Sequence, residues 1–175
     1  MNWYWIDRFT VFESGKRAQA IKTISRSEDH LRDHFKFHSV MPLSLMIEGV
    51  AQTAGLLIHE THNLEKKVVL GKIPKIEIFD TEITPGDVLV YDAVIEYIRD
   101  EGSMAAVTIH RDGKLLGEGV IVFAHLGADF TDKELFADGE LEDLFRAYGI
   151  YDVGVQADGT PLADPAVLRQ CSSKC

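Results

Sequence analysis

Residues 34–58 read HFKFHSVMPLSLMIEGVAQTAGLLI. From Val40 onward the run is almost wholly apolar. Pro42 stands at its entry, where a helix tolerates proline because the missing N–H would have no intrahelical partner. The pattern predicts a helix from Pro42 to about Glu60, on the order of 25 Å long at ~1.5 Å per residue. Leu45, Met46, Ile47, Val50, Ala51, Ala54, Leu56, Leu57 and Ile58 cover nearly its whole circumference, which places the helix inside the molecule rather than on its surface. A membrane span is the competing reading, but Pro42, Ser44, Glu48, Gln52 and Thr53 are residues that lipid rarely accepts. Glu48 is the anomaly. A carboxylate on a buried helix is costly unless it is paired or used.

Outward from this helix the grammar is that of strands. Upstream, RAQAIKTISR (residues 17–26) alternates and reads as a strand, and SEDHLRDHF follows with Ser27 as a candidate N-cap for a short helix. Downstream, KKVVLGKIPKIEIFD is rich in β-branched residues, with Gly71 and Pro74 as interruptions. Thr84-Pro85-Gly86-Asp87 signals a turn. In DVLVYDAVIEYI the residues Leu89, Tyr91, Ala93, Ile95 and Tyr97 fall on one face, the signature of a long strand with one apolar side. MAAVTIH and KLLGEGVIVFAHL flank Asp112-Gly113, a strong hairpin signal. One buried helix among long antiparallel strands implies an α+β architecture, a curved antiparallel sheet wrapped around one long central helix. One helix does not cover a whole sheet, so an edge or the far side is expected to meet a second copy of the chain.

Composition narrows the function classes. The 175 residues fit one principal domain, and 46% are hydrophobic, enough for a sizeable core. Eighteen basic against 28 acidic residues give a formal charge of −10, which argues against nucleic acid as a partner. The opening MNWYWIDRFT does not read as a secretory signal. Cys171 and Cys175, both at the C-terminus, are no disulfide framework, so a reducing, cytoplasmic setting without membrane attachment is expected. The chain divides into residues 1–127 and an acidic extension, 128–175. There Thr131 and Glu134 form a capping-box pattern ahead of Leu135, Leu141, Leu144, Phe145 and Tyr148. That pattern predicts a helix packed on the domain, weakened by Gly139, and a loose chain beyond Asp158-Gly159.

The chemistry concentrates around the central helix. His34 precedes Glu48 by fourteen residues and lies in the turn before the helix. Glu48 sits about one and a half turns inside it, and Gln52, four residues on, shares its face and is placed to hold the carboxylate. Histidine titrates near neutrality, and a carboxyl group in an apolar cavity can keep a proton to donate, so the two make an acid–base pair. His30, His34 and His38, spaced by four, would stripe a helix and suggest a metal, but Pro42 and the loop-like composition around Phe37 argue against one continuous helix there. No metal site is assigned. His59 and His62 sit at the end of the central helix, where cationic side chains are favourable.

The stretch resembles the β-hydroxyacyl-acyl-carrier-protein dehydratases of the hot-dog fold. His34-Phe35, Val40-Met41-Pro42, Glu48 and Gln52 carry the likeness. Ile6-Asp7-Arg8, Glu13-Ser14-Gly15-Lys16 and Pro85-Gly86-Asp87 extend it, so that residues 4–125 are covered. The resemblance implies loss of water from a 3-hydroxyacyl thioester: His34 removes the α-proton, Glu48 protonates the departing hydroxyl, and the Leu43 N–H receives the enolate oxygen. It implies no cofactor. It also implies a homodimer, or a larger assembly built from dimers, in which histidine and acid of one site come from different subunits, and a substrate carried on acyl carrier protein or coenzyme A. The sequence departs from the family at Lys36-Phe37, where Pro-Gly is usual, and at Leu43, which replaces a glycine. Phe37 and Leu43 are therefore expected to narrow the acyl channel, with Gln52 beside it. The family's acidic carriers dock on basic patches, for which Arg17, Lys22, Lys66, Lys67, Lys72 and Lys75 are candidates. Two other functions fit the same residues: a hot-dog acyl thioesterase using Glu48 without His34, and a non-catalytic acyl-binding or scaffolding subunit.

Overall fold

The apolar run is helical from Leu43 to Thr61, as its pattern predicts. The structure, a computed structural model, describes residues 4–33, 38–127, 136–137 and 139–165. In chain order the elements are β1 (Arg8–Glu13), β2 (Arg17–Thr23), α1 (Asp29–Asp33), α2 (Leu43–Thr61), β3 (Lys67–Ile78), β4 (Val88–Ile98), β5 (Gly102–Arg111), β6 (Lys114–Leu126), α3 (Glu140–Ala147), α4 (Ile150–Val153) and β7 (Gly154–Val155). The strands form one sheet in the order β3-β6-β5-β4-β2-β1-β7. Every pairing is antiparallel except that of β1 with β7.

The sheet wraps α2 with the alternate residues of its central strands. Ala18 and Ala20 of β2, Leu89, Tyr91 and Ala93 of β4, and Ala105, Val107 and Ile109 of β5 are all buried. They meet Met46, Val50, Ala54, Leu57 and Ile58 of the helix. The inward face of β4 holds through Ala93. A register break between Ile95 and Tyr97 then ends the strict alternation, and Tyr97 is only half-buried. Asp112 and Gly113 both have positive φ, 52° and 77°, which a two-residue hairpin with the sheet's own twist requires. Among the described residues no helix is long and apolar enough to cross a membrane, so the competing reading of residues 40–58 fails.

The structure departs from the sequence pattern at four places. No strand is expected over residues 8–13, yet β1 forms there. A bulge between Phe9 and Val11 puts Phe9 and Phe12 on the same buried side, so the period-2 signal that marks a strand is absent from its sequence. The helix α1 begins at Asp29 rather than after Ser27, and Glu28 reaches back to accept the Ser25 N–H at 2.8 Å. In the C-terminal extension Gly139 stands at the start of α3, with φ 78°, instead of inside the helix. The chain also stays packed past Gly159: Pro161 bridges to Val155 and Leu162 is buried. The proposed capping pair Thr131 and Glu134 lies outside the described residues.

The extension is fastened to β1. Tyr148 O accepts the Phe9 N–H at 2.9 Å, and Val155 O accepts the Ser14 N–H at 2.9 Å. Phe145, Tyr148 and Ile150 are buried, and the rings of Tyr148 and Phe145 each lie 6.3 Å from those of Phe9 and Phe12 respectively. Arg146 closes the segment on itself through Asp164, at 2.8 and 3.0 Å, and Asp143, at 2.6 Å.

Candidate active site

The position of the α2 N-terminus is set from outside the helix. Met41 N–H donates to the carbonyl of Ile83 at 2.8 Å, and Ile83 is fully buried in the turn before β4. Arg111 of β5 holds that turn, donating to the Glu82 carbonyl at 2.7 Å and to the carboxylates of Asp87 and Asp80 at 3.1 and 3.2 Å. Pro42 precedes the helix in an extended conformation, and no side chain caps it. First-turn N–H groups have no partner within a helix and carry the positive end of its dipole, so the Leu43 end favours an anionic oxygen. Leu43 itself is 43% exposed at this mouth.

Glu48 and Gln52 lie on the half-buried flank of α2, the side turned from the densest packing of the sheet. Gln52 Nε2 donates to Glu48 Oε1 at 2.8 Å, the i, i+4 contact expected from the sequence. The far end of the Gln52 amide is held in turn. Its Oε1 accepts from the Tyr148 hydroxyl at 3.2 Å and from the Trp5 N–H at 3.3 Å, and the same Trp5 N–H reaches the Tyr148 oxygen at 3.1 Å. Burial first of all pushes the Tyr148 phenol up to about 12, with the nearby Glu48 charge among the smaller causes acting the same way. Tyr148 is therefore an O–H donor at neutral pH. Behind Glu48, the backbone of Gly49 meets the ring of Tyr91, which is fully buried.

Of the site residues expected from sequence, the structure places Leu43, Glu48 and Gln52 on α2. His34 and Phe37 lie outside the described residues. The residues that sequence reasoning missed are Trp5 and Tyr148, which reach Gln52 across 47 and 96 positions. Only the amphipathic pattern of the extension hinted that Tyr148 faces inward.

The remaining candidates resolve as structural groups. His30 lies in α1 and His38 is not helical, so the two do not share one helix. His30 stacks on Trp5 at 5.3 Å, and exposed His38 lies 3.2 Å from Glu82. Among the described residues no group of three His, Cys, Asp or Glu side chains is disposed to hold a metal ion. His59 is not a cation at the helix end: burial pushes its pKa down to about 4, so it is neutral. Lys22 is buried over Trp5 between Asp7 and Glu28, which removes it from any basic docking patch, whereas Arg17 stays half-exposed beside Glu13. A separate cavity of about 180 Å³ opens at the other end of α2, between Glu60, Leu64, Tyr151 and Leu162, and is not lined by Leu43, Glu48 or Gln52.

Residues 2–125 match the family model of the FabA-like domain. The 3-hydroxyacyl-acyl-carrier-protein dehydratase FabZ of Ruminiclostridium cellulolyticum is 34% identical over 121 residues, 68% of this chain and 84% of that protein. Among solved structures, the dehydratase heterocomplex ApeI:P from Xenorhabdus doucetiae has a TM-score of 0.59 at 17% identity, covering 81% of this chain and 89% of its own. The protein smu.793 from Streptococcus mutans, solved bound to acetyl CoA, has a TM-score of 0.58 at 12% identity, covering 73% and 94%. A sheet wrapped on one helix, with these neighbours, is the hot-dog fold. The chain belongs to the FabA-like family and is, with its dehydratase relatives, an enzyme of the hydro-lyase class.

Proposed function

We propose that this chain dehydrates 3-hydroxyacyl thioesters to trans-2-enoyl thioesters, using His34 as base and Glu48 as acid, on substrates carried by acyl carrier protein. The observation that carries the reading is the Glu48–Gln52 pair at 2.8 Å on the half-buried flank of α2, in a chain of the FabA-like family. His34 takes the proton from the α-carbon. The electron pair left behind forms the double bond as the β-hydroxyl departs, and Glu48 gives that hydroxyl its proton, so that water leaves. The thioester oxygen gains charge on the way, and the first-turn N–H of Leu43 is the donor suited to it. With Gln52 donating to Oε1, Oε2 is the oxygen left to deliver the proton. No cofactor enters this scheme. The setting is cytoplasmic, and the working unit is a homodimer in which each site draws His34 from one subunit and Glu48 from the other.

The test is the reverse reaction, hydration of a crotonyl thioester presented on coenzyme A and on acyl carrier protein, with release of free thiol followed in parallel. Hydration by the wild-type chain, and its fall by on the order of 10²–10⁴-fold in both His34→Ala and Glu48→Gln, is the expected result. Thiol release that survives His34→Ala would make the protein a thioesterase. Binding without turnover would make it an acyl-binding subunit.

A further inference from the structure

We propose that Tyr148, carried by the C-terminal extension beyond the FabA-like match, is a positioning residue for Glu48: its hydroxyl, together with the Trp5 N–H, fixes which end of the Gln52 amide faces the acid. The inference rests on Glu48 being the acid of the proposed reaction.

The hydrogen-bond network favours one orientation of the amide. A side-chain amide has a donor end and an acceptor end that differ little in shape, and its hydrogen-bond partners decide which way it points. Two donors, the Tyr148 O–H at 3.2 Å and the Trp5 N–H at 3.3 Å, converge on one end of Gln52; because the Tyr148 oxygen already accepts from Trp5 at 3.1 Å, its hydrogen is left to donate, and an oxygen is favoured at that end. The NH₂ group is then turned toward Glu48, where it donates at 2.8 Å. With the Tyr148 hydroxyl gone, one of the two donors that oppose rotation of the amide is lost. The flipped amide would present its oxygen to the carboxylate and leave Glu48 without its donor.

Tyr148 is itself anchored. Its backbone carbonyl takes the Phe9 N–H, and its ring packs edge-on against Tyr4 and Phe9 at 5.8 and 6.3 Å. It is 2% exposed, so it acts on a substrate only through Gln52. The extension thus gives the acid a support that residues 2–125 do not contain.

The test uses the full chain and the crotonyl-thioester hydration assay, with Glu48→Gln as the reference for the underlying reading. Tyr148→Phe keeps the ring packing and removes the hydroxyl. It is expected to lower kcat about tenfold with KM unchanged, because a misplaced acid affects the chemical step and not acyl binding. Gln52→Met should show the same loss, and the double variant no further loss, since both act through one contact. Wild-type kcat in Tyr148→Phe while Glu48→Gln is inactive overturns the role of Tyr148 and leaves the acid in place. Full multiplication of the two losses in the double variant also overturns it. An active Glu48→Gln overturns the underlying reading instead. Should thermal unfolding show that Tyr148→Phe does not fold, Gln52→Met carries the test, because it keeps the Tyr148–Trp5 contact, and a wild-type kcat there overturns the proposal.

Discussion

At the scale of single residues, Glu48 is held by neighbours of two kinds. Gln52, one turn further along, fixes one carboxylate oxygen, and Gly49 lets the helix backbone lie against the buried ring of Tyr91. A β-carbon at residue 49 would collide with that ring, ending 2.6 Å from the Tyr91 hydroxyl oxygen. The ring is fully buried in a close-packed core, so it yields only by displacing its neighbours. Gly49→Ala is therefore expected to destabilise the fold by ~1–3 kcal/mol, which for a chain of this size lowers Tm by about 2–12 °C. Adding Tyr91→Leu to Gly49→Ala should recover part of the loss. Differential scanning calorimetry decides it: a Gly49→Ala chain melting with the wild type would show that the helix and β4 are not in close contact at this point. The Gln52–Glu48 contact was legible in the sequence because a helix brings residues four apart together. The Tyr148–Gln52 contact was not, because nothing local in either segment specifies a partner 96 residues away.

At the scale of elements, α2 carries a different chemistry at each end. Its N-terminus is held by the turn that Arg111 clamps, and its C-terminus buries His59 near His62 and His125, with Phe136 at 5.6 Å from the His59 ring. The rings of His62 and His125 meet edge-on at 4.5 Å, and both groups are held below the ordinary histidine range, chiefly by burial. The sign of the resulting pH effect follows from which state binds more protons. In the unfolded chain these histidines protonate near pH 6.5, whereas folded His59 resists protonation down to about pH 4. Their contribution to stability is thus fully present above pH 6.5 and is lost as the pH falls from there toward 4, with His59 alone accounting for on the order of 3 kcal/mol. Urea unfolding at pH 7.5 and pH 4.5 should show this loss, and His59→Gln should flatten it. Parallel pH dependence in the two proteins would refute the assignment. The sequence placed both histidines at the helix end correctly but not their charge, because burial there depends on residues 66–68, 125 and 136, which only the fold brings together. For the strands the legible part was the alternation. β2, β4 and the β5–β6 hairpin announce themselves by it, and β1 does not, because its bulge places Phe9 and Phe12 three residues apart on one side.

At the scale of the whole molecule, two features are left incomplete by a single copy. The flank of α2 that bears Leu43, Ile47, Glu48 and Ala51 is only partly covered although most of it is apolar. The sheet also ends on β3, a twelve-residue strand with Leu70 51% exposed, and a long edge with exposed apolar side chains is a template for another strand. A twofold pairing along β3 would extend the sheet across both subunits. It would also supply the second subunit that the proposed site needs for its histidine. Sedimentation equilibrium is expected to give twice the 19.6 kDa of one chain. The sharper measurement mixes two dead proteins. His34→Ala and Glu48→Gln chains, unfolded together in equal amounts and refolded, form mixed dimers in half of all pairs. Each mixed dimer has one site with both groups intact if histidine and acid come from different subunits. Hydration activity should then return to about a quarter of the wild-type value. If both groups came from the same chain, every site in every dimer would lack one of them. A refolded mixture as inactive as its components would therefore end the cross-subunit site, whatever the mass of the assembly.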